Sequence, residues 1–107
     1  MLTPLAHPVP VPGYRHAVEE VAVVWHPTDK IAPVPATVVV WPNERHPGEY
    51  TVHVSPDGWA NLWYSGRDSL GPFGRWSSWP SDAASFHSAA DALAAALATP
   101  QIEASDG

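Results

Sequence analysis

Glu49-Tyr50-Thr51-Val52-His53-Val54-Ser55-Pro56-Asp57-Gly58-Trp59-Ala60-Asn61-Leu62-Trp63-Tyr64 is the stretch that decides the fold of this 107-residue chain. Side chains of a β-strand alternate between two faces, and here Tyr50, Val52 and Val54 alternate with Thr51, His53 and Ser55. Ser55-Pro56-Asp57-Gly58 then supplies turn chemistry. Proline presets φ for the first central position of a type I turn, and Gly58 accepts the left-handed conformation of a G1 bulge. Trp59 to Tyr64 is the return strand. A three-residue loop pairs Ser55 with Trp59, Val54 with Ala60, Val52 with Leu62 and Tyr50 with Tyr64. That register gathers Tyr50, Val52, Val54, Ala60, Leu62 and Tyr64 on one apolar face. Thr51, His53, Ser55, Trp59, Asn61 and Trp63 share the other, whereas a two-residue loop would mix the two sets.

Upstream of the hairpin, Thr37-Val38-Val39-Val40-Trp41 reads as a strand, β-branched up to its tryptophan and stopped by Pro42. Val21 to Trp25 fits either a buried strand or, with Val18, a helical stripe; its β-branching favours strand. Pro33 and Pro35 keep the connection between these two runs irregular, and Asn43 to Gly48 forms a polar loop. Downstream, Gly66 to Ser81 reads as a long glycine-punctuated loop with room for a short edge strand near residues 74–78. Ser88-Ala89-Ala90-Asp91 resembles a capping box with Asp in place of Glu, and Phe86, Ala90, Leu93 and Leu97 recur at helical spacing until Pro100. These elements predict an α+β fold: an antiparallel sheet of about four strands, with room for a short fifth, and one C-terminal α-helix packed on one face. A single domain over 1–107 is expected, with a Pro-rich extended arm over 1–13, a globular core over 18–98 and a flexible tail over 99–107.

Composition excludes several classes of function. Apolar residues make up 45% of the chain, so a hydrophobic core is expected and wholesale disorder is not. Eleven acidic against five basic residues give a small acidic protein with a net charge of −6, and the basic residues are scattered singly. General nucleic-acid binding, which gains from clustered cations that release counterions, is therefore disfavoured. The absence of cysteine removes disulfides and thiolate metal sites. No apolar run approaches the roughly 18 residues that span a bilayer, and the start lacks the basic n-region of a secretory signal, so a cytoplasmic protein is expected. A single lysine among abundant Ala, Val and Pro suggests a high-GC bacterium or one of its phages.

Candidate sites are few. The six histidines show none of the local spacings of a metal site, and no nucleophile elbow, phosphate loop or dinucleotide fingerprint occurs, so neither catalytic residues nor a cofactor is assigned. Six tryptophans, by contrast, are several-fold more than a chain of this size usually carries. The hairpin register predicts Trp59 and Trp63 on the face away from the helix, beside His53 and Asn61. Trp76 and Trp79 stand in the adjoining loop, where Arg67 and Arg75 supply the nearby positive charge. Tryptophan combines a large apolar area with one donor, which suits it to binding hot spots and stacking platforms. A non-enzymatic protein-interaction or accessory regulatory module is the expectation, its partner a heterologous protein or a second copy through the aromatic face. The alternative is a ligand or single-stranded nucleic-acid binder that stacks on tryptophan and uses Arg67 and Arg75; an enzyme ranks last. The Pro-rich arm is the competing cover for the same face.

Overall fold

The computed structural model describes residues 17–28, 30–67 and 73–104. The predicted Pro-rich arm lies outside the described residues, as does the centre of the glycine-punctuated loop at 68–72. The described strands are β1 (Glu19–Trp25), β2 (Val34–Pro42), β3 (Tyr50–Pro56), β4 (Leu62–Tyr64), β5 (Trp76–Ser77) and β6 (Ile102–Ala104), with one α-helix, α1 (Ala89–Leu97), between the last two. They form a single antiparallel sheet in the order β5-β4-β3-β2-β1-β6, curled into a half-barrel. The first five strands meander. The chain then crosses the sheet through α1 and closes on the far edge, where β6 joins β1.

Six strands replace the expected four or five. The surplus strand comes from the stretch expected as a flexible tail: Ile102, Glu103 and Ala104 pair with Trp25, Val24 and Val23. Three residues carry no periodicity to read, and their pairing is fixed from outside. The His26 amide donates to the Gln101 carbonyl at 2.7 Å, and the His26 ring meets Glu103 Oε1 at the same distance. Pro35 also departs from expectation, lying inside β2 opposite Val24 rather than in an irregular loop. Its carbonyl accepts from the Asp57 amide at 2.9 Å, which holds this end of β2 against β3.

The hairpin adopts a wider register than the turn chemistry suggests. Val54 pairs with Leu62 and His53 with Trp63, two residues away from the predicted alignment. Alternation explains why. Tyr50 exchanges both backbone bonds with Phe86 on the β4 side, whereas Asp57 donates to β2, so Pro56 turns its missing N–H toward β4. Proline cannot donate there, and the β3–β4 ladder stops at Val54. The turn that follows is closed by the Trp59 amide on the Pro56 carbonyl, with Gly58 at φ 79°. A slip of two residues preserves faces, so Tyr50, Val52, Val54, Leu62 and Tyr64 still share one side, while Trp59, Ala60 and Asn61 leave the ladder.

That side is the core. Val23, Trp25, Val38, Val40, Val52, Val54, Leu62, Tyr64 and Trp76 are buried beneath α1. The helix begins where expected, Ser88 Oγ accepting from the Asp91 amide at 3.0 Å. Its buried stripe is rotated from the expected one. Ala92 and Ala96 are fully enclosed, with Ala89 and Leu93 packed beside them, while Leu97 and Ala90 face outward. The helix meets β2 and β3 through the short side chains of Ala92 and Ala96, which permit a close approach to the sheet. Phe86 belongs to no helical stripe; it bridges Tyr50 and lies 6.0 Å from the Tyr64 ring.

Candidate functional site

The opposite face of the sheet is built by the alternate residues of the same strands. Val39, His53, Trp63 and Ser77 form one row across β2, β3, β4 and β5, and Trp41 and Thr51 form the next. Diagonal neighbours on adjacent strands are within reach of aromatic rings. The Trp41 indole stacks on His53 at 5.9 Å between centroids and 25° between planes, and the Trp63 indole meets His53 edge-on at 5.7 Å. His53 is buried, with 6% of its surface exposed. Desolvation lowers its imidazole from the ordinary 6.5 to about 4, so the ring is neutral at physiological pH. The Trp41 Nε1–H points at His53 Nε2 at the long limit of 3.5 Å, an arrangement that requires Nε2 without a proton.

Two walls rise from this floor. One is the β2–β3 connection, a compact loop in which the Asn43 amide donates to the Glu49 carbonyl at 2.8 Å and Asn43 Oδ1 accepts from the Arg45 amide at 2.9 Å. The other is the segment 80–85, which opens with the 3-10 turn Pro80–Asp82 after Trp79. Hydrogen bonds join the walls. Asn43 Nδ2 donates to Ser85 Oγ at 2.9 Å, and Ser85 Oγ–H donates onward to Glu49 Oε1 at 2.5 Å. At the other end Ser77 Oγ–H donates to Asp82 Oδ2 at 2.5 Å, and Arg67 reaches the same carboxylate at 3.7 Å. Floor and walls enclose a cavity of about 560 Å³. Trp41, Trp63, Pro42 and Pro80 give it apolar surface, and Asn43, Glu44, Arg45, His46, Ser81 and Ser85 give it polar edges of both charge signs. A volume of this size suits a small molecule or a few residues of extended chain.

The predicted site residues separate into groups. His53 and Trp63 line the cavity. Trp59 crosses to the opposite side, where it stands edge-on to Trp25 at 5.2 Å and to Phe73 at 5.8 Å. Asn61, half-buried in the turn, is absent from the lining. Trp76 is fully buried in the core; its Nε1–H donates to Thr99 Oγ1 at 3.3 Å and its ring lies edge-on to Tyr64. Trp79 is 70% exposed and precedes the 3-10 turn. Arg67 is engaged with Asp82, and Arg75 lines a second cavity with Tyr64, Ala95, Thr99 and Gln101 on the helix side. The two arginines therefore do not converge on the tryptophan face.

Trp41 is the residue missed. Its strand was legible, but the β2–β3 loop of residues 43–49 is too long for its length to fix which residue of β3 stands opposite Trp41. The signal available was parity: Trp41 shares odd-numbered alternation with Val39 on a strand whose even positions are core. For the wall at 80–85 the sequence marks only Pro80 and Ser81, as the end of a long loop, and nothing in it brings residues 82–85 over the floor. Among the described residues no group of three or more His, Asp or Glu side chains is placed to hold a metal ion, and no helix is long and apolar enough to cross a membrane. No family model matches the chain, and neither a curated protein nor a solved structure matches it.

Proposed function

We propose that this domain is a non-enzymatic interaction module whose groove takes a short, extended, largely uncharged peptide from a partner protein. The observation that carries this reading is the Trp41–His53–Trp63 cluster lying on the floor of a groove whose walls are hydrogen-bonded to each other. Indoles offer flat apolar area that needs little ordering on binding, and walls already joined lower the entropy that a ligand must overcome. His53 contributes shape and a neutral ring instead of charge. The polar edges supply donors and acceptors for a peptide backbone, the usual division of labour where extended segments bind aromatic grooves. The alternative of a nucleic-acid or anionic ligand stacked beside Arg67 and Arg75 draws less support, because Arg67 is engaged with Asp82 and Arg75 lies at a different cavity.

Selection of random ten-residue peptides on the immobilised full chain tests the proposal. Peptides rich in proline or aromatic residues are expected, and Trp41→Ala with Trp63→Ala should weaken their capture at least ten-fold while cooperative unfolding is retained. Retrieval of peptides whose binding ignores both substitutions would sink the assignment of the groove.

A further inference from the structure

The groove also points to its first occupant, and this inference rests on the peptide-binding reading above. The described chain begins at Ala17, and the amide of Val18 donates to the carbonyl of Val40 at 2.8 Å, one residue before Trp41 on β2. The segment before residue 17 is thus attached to the body at a point level with the Trp41 end of β2. That segment contains Pro8-Val9-Pro10-Val11-Pro12. Proline fixes φ near the polyproline II value and carries no N–H, so such a run is pre-extended and presents flat rings well matched to indoles.

Reach agrees. Trp41 and Trp63 stand on β2 and β4, two strand spacings across and two residues along, or roughly 12 Å apart. Five residues of polyproline II helix cover about 15 Å. The five links from Ala17 back to Pro12 extend up to roughly 17 Å, enough to bring the run across the cluster. Charge does not oppose the docking. All eleven carboxylates fall after residue 18, against four of the five basic side chains, which leaves the body at −7. The first sixteen residues hold no acid and include Arg15, His7 and His16. A tethered ligand also enjoys an effective concentration of order millimolar, so modest intrinsic affinity suffices.

We propose that residues 8–12 of this chain dock in cis on Trp41 and Trp63, so that a partner peptide gains the groove by displacing them. The test uses the full-length protein with ¹⁵N-labelled indoles, the Trp41 and Trp63 resonances being assigned through Trp41→Phe and Trp63→Phe. Replacing Pro8, Pro10 and Pro12 together by Gly should shift the Nε1–H resonances of Trp41 and Trp63 and leave those of Trp25 and Trp76 in place. The unmoved pair also reports that the variant is folded. A synthetic peptide of residues 6–14 should then restore the wild-type positions in the variant and bind wild type at least ten-fold more weakly. Equal binding of the peptide to both proteins would overturn the cis arm while leaving the groove a peptide site. Unmoved resonances together with no binding to either would overturn both readings. A wild-type spectrum that changes on dilution would show the arm coming from a second copy, and would likewise overturn docking in cis.

Discussion

Trp63 and Trp76 lie on neighbouring strands, each one position from the other's partner, yet their surroundings are opposite. Tyr64 pairs with Trp76 on the helix side, and Trp63 pairs with Ser77 on the groove side. Trp76 is wholly enclosed and its single donor is spent on Thr99. Trp63 is half-buried and leans on a neutral histidine at the floor of an open cavity. One residue type therefore does two jobs, and the choice follows from parity on the strand alone. The core side is not free of cost. Trp25 is fully buried and its Nε1–H has no partner among the described residues, an arrangement that costs about 1–3 kcal/mol when a buried donor is left unsatisfied. The large apolar area that Trp25 buries offsets it.

Three substitutions put this contrast between faces to the test. The largest effect is expected from Trp76→Ala, which empties a fully enclosed site and removes the Thr99 bond; a loss of about 3–5 kcal/mol should appear in urea unfolding, enough to abolish the fold if the domain is marginal. A loss below about 1 kcal/mol would mean the indole is not core. Next comes His53, whose native ring resists protonation until about pH 4 while the unfolded ring takes a proton near 6.5. Between those values the unfolded state binds more protons, so stability from this group is complete above 6.5 and falls as the pH drops toward 4. The full difference is on the order of 3 kcal/mol, and His53→Phe should flatten that part of the stability–pH curve. An unchanged slope in the variant would show that burial of His53 is not its source. The smallest effect belongs to Trp79→Ala. With 70% of its surface exposed and no side-chain cap made, this tryptophan should contribute within about 0.5 kcal/mol by thermal or urea unfolding. A larger loss would place it inside the fold and erase the contrast with Trp76.

Much of this architecture can be read from short stretches. The alternation in Tyr50 to Val54 identifies both faces correctly even though the hairpin register is displaced, because a slip of two leaves each side chain on its own side. The Ser88 cap is equally local, needing only a hydroxyl three residues before Asp91. Other features escape for identifiable reasons. Of the expected stripe Leu93 does pack on the core, but Leu97 and Ala90 face outward because the helix meets the sheet through Ala92 and Ala96, and propensity cannot register that rotation. Trp59 satisfies strand alternation and still turns to the core side, since the Pro56 interruption frees it from the ladder and Trp25 and Phe73 receive it.

The residues alone fix the parity that divides Val52 and Val54 from His53, and show a tryptophan surplus on an acidic, cysteine-free chain. These depend on composition and on side-chain period, which are properties of a few consecutive residues. It took the folded chain to show that Trp41 rather than Trp59 stands over His53, that segment 80–85 walls the groove, and that residues 102–104 close the sheet on a strand 77 positions away. Each of these is a meeting of segments separated by long connections, and no local pattern encodes which of many remote alignments buries the most apolar surface.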